Sequence, residues 1–109
     1  MQLLIIVLFR SGYMQPIFKK LADNGFHGSV ISTQSIKEAF MNSIEPEPYF
    51  GGLMRLVDEP HEPRPMLLTV IKDDEVSQIT KLVNEVTKGI VDKGFMFTVP
   101  VNFIEGLKE

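Results

Sequence analysis

MQLLIIVLF, residues 1–9, is the stretch on which the fold turns. Gln2 to Phe9 is, after Gln2 itself, unbroken apolar sequence rich in Leu, Ile and Val. Nine residues are far fewer than the roughly 20 a helix needs to cross a bilayer. No basic leading region and no small-residue cleavage site accompany them, so the stretch is a poor secretory signal. Its length and β-branching predict a strand buried on both faces. Arg10-Ser11-Gly12 breaks that strand, and Ser11 is placed to cap a helix after it. Between Tyr13 and Asn24, Ile17, Phe18, Leu21 and Ala22 recur at helical spacing, while Lys19, Lys20 and Asp23 fall elsewhere. Pro16 sits early, where a missing N–H is tolerated. Asn24-Gly25 is a helix stop.

HGSVISTQ, His27 to Gln34, reads as a second strand, with Val30 and Ser32 on one face and Ile31 and Thr33 on the other. Ser35 to Met41 fits either a turn or two of helix or a strand extension. A long connection comes next, with five of the seven prolines between Glu45 and Pro65. Connections of this length in compact domains are mostly functional or disordered. Met66 to Ile71 is a third buried strand. Asp73 or Asp74 is expected to cap a second helix, along which Val76, Ile79, Val83, Val86 and Ile90 form an apolar stripe. Gly94 opens a last strand, Phe95 to Val101, and Pro100 marks it as an edge or a strand end. The remaining NFIEGLKE is expected to form at most a short hook.

The order strand, helix, strand, strand, helix, strand predicts an α+β protein with a ferredoxin-like βαββαβ sandwich: four antiparallel strands with two helices on one face. Residues 1–109 form one domain. Strands apolar on both sides leave the second sheet face in need of cover. A chain this small is also marginal alone. Both considerations predict a homo-oligomer built through the sheet.

The remaining composition excludes more than it assigns. With 44% hydrophobic and 23% charged residues, the chain is neither disordered nor fibrous. Its net charge of −3, without a basic run, argues against sequence-independent nucleic-acid binding. The absence of cysteine removes disulfides, thiolate nucleophiles and zinc–thiolate sites, and fits a cytoplasmic location. His27 and His61 lack metal-ligand spacing and read as surface histidines. Asp58, Glu59 and Glu62 lie in a proline-broken stretch and read as a solvated loop before an acid–base pair. No nucleophile elbow, Walker A or dinucleotide fingerprint occurs, so no catalytic or metal residue is assigned.

Several elements, in their order and spacing, resemble the P-II-like signalling proteins, relatives of the nitrogen regulatory protein P-II. They are the opening Leu3 to Leu8; Asn24 to Val30 with Gly25 and Gly28; Phe50, Gly51, Leu53 and Leu56; Arg64-Pro65-Met66; and Phe97-Thr98-Val99-Pro100-Val101 through Gly106-Leu107. The resemblance covers nearly the whole chain, as a divergent branch. It implies a cytoplasmic homotrimer with inward-facing sheets. A small anionic effector, an adenine nucleotide among the candidates, would bind in clefts between subunits. A T-loop, here about 36–64, would signal to a regulated protein partner. Neither nucleic-acid binding nor membrane insertion is implied.

Thr33, Gln34 and Ser35 end the second strand where the family's cleft opens, and offer hydroxyls and an amide to a base or phosphate; ordinary turn chemistry explains them equally. Lys88 and Lys93 suit a ligand anion, or simply the negative end of a helix. Tyr49, Phe50, Gly51, Gly52, Leu53, Met54 and Arg55 form the candidate partner-binding part of the loop, as hinge and anchor or as packing against the body. The sequence departs from the ATP-binding members at TKGIVDKG, Thr87 to Gly94, where Ile90 and Val91 replace inner glycines. Ile104 and Gly106 stand where those members carry arginines. ATP and 2-oxoglutarate are therefore not implied, and the cofactor is left open. Two other readings remain: a small enzyme on a ferredoxin-like α/β-barrel, and a purely structural assembly trimer.

Overall fold

Burial alternates along β1, Gln2–Leu8: Leu4, Ile6 and Leu8 are buried, while Leu3, Ile5 and Val7 are half-buried. This computed structural model describes residues 1–43 and 64–107. β1 pairs antiparallel with β3, Arg64–Ile71, on one side and with β4, Gly94–Pro100, on the other. β2, Ser29–Thr33, pairs antiparallel with β3, giving the order β2-β3-β1-β4. The principal helices are α1, Met14–Asp23, and a second after β3, Val76–Thr87. A shorter helix, Ile36–Ser43, lies between β2 and β3. In chain order these two become α2, Ile36–Ser43, and α3, Val76–Thr87. The architecture is the βαββαβ ferredoxin-like α+β fold.

One core joins sheet and helices. Leu4, Ile6 and Leu8 of β1 share it with Leu67 and Ile71 of β3, Ile17 and Leu21 of α1, and Ile79 and Val83 of α3. Both principal helices therefore cover the same sheet face. The helical spacing of Ile17 and Leu21, and of Ile79 and Val83, aims each pair at the sheet from consecutive turns. Val76, Val86 and Ile90 pack around that core, so the expected α3 stripe faces inward. Burial of this apolar area is the main stabilising term. Two buried hydroxyls are satisfied by backbone carbonyls, one across the sheet and one within α3. Thr69 donates to the carbonyl of His27, and Thr87 donates to Val83 O at 2.9 Å.

Three sequence expectations need correction, each because a short turn or an offset intervenes. Ser11 lies inside a 3-10 turn, Ser11–Tyr13, so Tyr13 occupies the N-cap position of α1 and makes no side-chain capping bond. Asp73 and Asp74 likewise lie in a 3-10 turn, Asp73–Glu75, one turn ahead of α3. There the Lys72 N–H donates to the Glu75 carboxylate at 2.9 Å. The N-terminal ammonium at 3.1 Å and the Gln2 amide at 3.0 Å engage Asp73 instead, holding its carboxyl below the usual range. Ala22, expected on the buried stripe, is exposed. The ambiguous stretch after β2 is helical: Ser35 Oγ accepts the Glu38 N–H at 3.0 Å, an N-cap that starts α2.

Gly25 has φ 83°, the left-handed stop expected after α1. Pro100 is both the last residue of β4 and on an edge strand, where its missing N–H breaks no ladder. Among the described residues no helix is long and apolar enough to cross a membrane.

Candidate functional site

The sheet face turned away from the helices is apolar on β1 and β4 and on β3 beyond Arg64, and mixed on β2, where Ser29 and Thr33 flank Ile31. Strand register brings Leu3, Ile5 and Val7 of β1 opposite Val70, Leu68 and Met66 of β3. On the other side the same three meet Val99, Phe97 and Phe95 of β4. β2 adds Ile31, opposite Met66. Phe95, Phe97 and Val99 remain 46%, 45% and 42% exposed, and Ile31 45%. With strands about 4.8 Å apart and a rise of about 3.3 Å per residue, the footprint is roughly 400 Å². The largest apolar patch on a typical single chain is of about this size, and such patches are often functional.

One end of this face carries an aromatic lane. The Arg64 guanidinium lies 5.1 Å from the centre of the Phe9 ring. Phe9 meets Phe95 at 6.1 Å, tilted by 55°, and Phe95 stacks on Phe97 at 6.1 Å, within 15° of parallel. Arg64 is the single charged residue among the strand positions of this face. Aromatic sheet faces of this topology can stack bases, but such sites track a phosphate backbone with cations. A face with one arginine, in a chain of net charge −3, suits apolar protein surface better.

The sequence-predicted effector residues gather at one end of the sheet and at opposite edges. Thr33 closes β2 opposite Arg64, and Gly94 opens β4 opposite Leu8. β3 and β1 lie between those edges. Three strand spacings separate them, about 14 Å. A single chain therefore does not bring Thr33, Gln34 and Ser35 against the loop that holds Lys88 and Lys93.

Several of these side chains already have partners within the chain. Thr33 Oγ1 donates to Arg64 O at 2.8 Å, and Ser35 caps α2. The Lys93 ammonium donates to the carbonyl of Thr87, closing the end of α3. Gln34 and Lys88 are exposed. The loop backbone is also engaged. Gly89 N–H donates to Asn84 O at 3.1 Å, Ile90 N–H to Asn84 Oδ1 at 3.1 Å, and Lys93 N–H to Ile90 O at 2.9 Å. Asn84 thus ties the loop to α3, and these amides are not turned outward as a phosphate nest.

Lys88 sits at φ 58°, a left-handed conformation that costs a side chain about 1–2 kcal/mol. Lys88→Gly should raise stability by about 0.5–1 kcal/mol, the relieved strain less the greater freedom of the unfolded chain. Thermal unfolding checks this. A lower melting point would show that the Lys88 side chain contributes more than its backbone costs.

A second concavity lies on the helix side, at the β2 edge. It encloses about 310 Å³ between α1 and the sheet, lined by Phe18, Ala22, Phe26, Gly28, Val30 and Leu67 among others. A Cβ on Gly28 would fall 2.5 Å from Leu68 O, so β2 enters the sheet here only through glycine.

The expected partner loop, Tyr49, Phe50, Gly51, Gly52, Leu53, Met54 and Arg55, lies outside the described residues, as do His61 and the acids between 58 and 62. Among the described residues no three His, Cys, Asp or Glu side chains group to hold a metal. Sequence reading missed the Arg64–Phe9–Phe95–Phe97 lane and the groove at Ala22. Period-two spacing of Phe95 and Phe97 was a visible signal, whereas placing Phe9 and Arg64 beside them required the register of three strands. No known family model matches this chain, and no curated protein matches it either.

Proposed function

We propose that the protein is a P-II-like regulatory protein: a homotrimer that binds a small anionic effector between subunits and signals to a partner protein through residues 36–64. The observation that carries this reading is the apolar sheet face opposite the helices, joined to the positions of the two edges. β2 and β4 run antiparallel to each other, because each strand is antiparallel to its neighbour. Copies rotated about an axis along the strands place β4 of one beside β2 of the next, antiparallel, with the apolar faces inward. Such head-to-tail contacts close into rings. They also cover both open edges, which otherwise invite uncontrolled pairing.

The same rotation carries Thr33, Gln34 and Ser35 of one copy toward the Lys88 to Lys93 loop of the next, across the seam. Gln34 and Lys88, both exposed, offer polar groups to an effector there. In the bonds described, Ser35 uses only an acceptor and Lys93 one of its three ammonium N–H groups. An anion bound at the seam would alter α2, whose cap is Ser35, and through it the connection to β3. A ligand acts this way by preferring one conformation of that connection over another.

Thermal shift with nucleotides, cyclic dinucleotides, bicarbonate and 2-oxoacids tests the effector. A binder present at 100 times its dissociation constant adds about 2.7 kcal/mol of stability. One anion class should raise the melting point and increase hydrogen-exchange protection in residues 36–64. No shift with any of them, in a protein shown to be trimeric, would leave the structural-assembly reading in its place.

A further inference from the structure

We infer that the segment after β4 docks into the α1–β2 groove of the neighbouring copy. This deepens the trimer reading and rests on it. The segment carries Phe103 at 80% exposure, with Ile104 and Leu107 also exposed. Three large apolar side chains within five residues need a surface to bury them. The groove supplies one: Phe18, Ala22, Val30 and Leu67 line a concavity of about 310 Å³, and Val30 is itself exposed.

Position selects the occupant. β4 ends with Pro100 paired to Gln2, at the end of the sheet where β3 finishes with Ile71. β2 begins three residues inside that end, with Ser29 opposite Leu68, and the groove residues Phe26 to Gly28 lead into it. Groove and segment therefore share that end. They lie at opposite edges, and the chain's own groove opens on the helix face beyond α1, which packs against α3. Residues 101–107 leave β4 with the Val101 N–H held by Met1 O at 3.0 Å, which fixes the exit at the β4 edge. In the ring, the next copy's β2 and its groove adjoin that edge. Seven residues reach at most about 25 Å, enough to cross one seam. Gly106, at φ 92°, permits the bend that seats Leu107 behind Phe103. The site is incomplete in one chain: one copy supplies the walls and its neighbour the plug.

A chain without cysteine makes the test clean. Ala22→Cys combined with Phe103→Cys, both at exposed positions, is oxidised in the full-length protein beside the two single variants. The double variant should give reducible dimers and trimers on a denaturing gel, and the single variants should not. An intrachain disulfide would overturn the inference, since it places the segment in its own groove. No disulfide in a protein of trimeric mass would also overturn it while leaving the ring intact, with residues 44–63 then the candidate occupant. A monomeric mass would remove the ring and the inference together. Phe103→Ser serves as the independent check. It should lower the melting point of the trimer by several degrees, and an unchanged melting point would contradict docking.

Discussion

Replacing Phe97 with Asp is expected to yield a folded single chain in place of the proposed trimer. Phe97 pairs with Ile5 across β1 and β4, and it is 45% exposed in the lone chain. A carboxylate there stays in water in the monomer, so the core of Leu4, Ile6, Ile79 and Val83 is untouched. In the ring it would be enclosed by apolar sheet from neighbouring copies. Uncompensated burial of a charge costs several kcal/mol even after relaxation. A loss of about 3 kcal/mol per contact weakens association more than 100-fold. Sedimentation velocity should show the monomer at micromolar concentration, with circular dichroism unchanged. Lys81→Asp, on an exposed position of α3, is the control and should remain assembled. A Phe97→Asp protein with native mass would mean that this face is not the interface.

Gly94→Ala should produce the largest loss of stability of any single-methyl addition at a described glycine. Gly94 is buried at the start of β4, opposite Leu8. A Cβ built there lies 2.2 Å from Val7 O and 3.1 Å from Leu8 Cα. Both are backbone atoms of the paired strand, so no side chain can swing aside. β1 and β4 must splay, or the first bonds of their ladder must break. Overpacking of this kind costs about 2–4 kcal/mol. For a domain of this size each kcal/mol moves the melting point by about 4–8 °C. Gly12→Ala is the contrast: its Cβ meets nothing within 4 Å, and its melting point should move little. Equal melting points for the two variants would show that the β1–β4 pairing is looser than its register implies.

Much of the fold could be read from local pattern, and the failures have local causes. The apolar run of β1 announced a central strand, paired on both edges with β3 and β4. The expected burial of both its faces is not met in the single chain: Leu4, Ile6 and Leu8 are buried under the helices, while Leu3, Ile5 and Val7 are half-buried on a face that no described element covers. The spacing of Ile79 and Val83 announced α3, because helix periodicity needs no partner to be visible. Caps were harder. A three-residue 3-10 turn before each principal helix shifted the N-cap past Ser11 and past Asp73, and nothing in the residue types distinguishes those turns from the helix itself. Ala22 was assigned to the buried stripe by spacing, yet it borders a groove. Its burial depends on how far α1 extends over β2, which is a tertiary matter.

The candidate site divides in the same way. Thr33 to Ser35 and the Lys88 to Lys93 loop were chosen by residue type, and the structure places both at one end of the sheet. Residue type did not show that Thr33, Ser35 and Lys93 already bond to the chain's own backbone. Nor did it show the 14 Å scale of the separation between the edges, which comes from strand order alone. With that separation, the proposed effector site at these residues requires the proposed assembly.

Native mass spectrometry at micromolar concentration is the most direct test of the ring. The predicted result is a single species of three times the 12.3 kDa chain mass, lost in Phe97→Asp. A stable 12.3 kDa monomer with its apolar sheet face in water would contradict the trimer, and a dimer would transfer support to a face-to-face α/β-barrel.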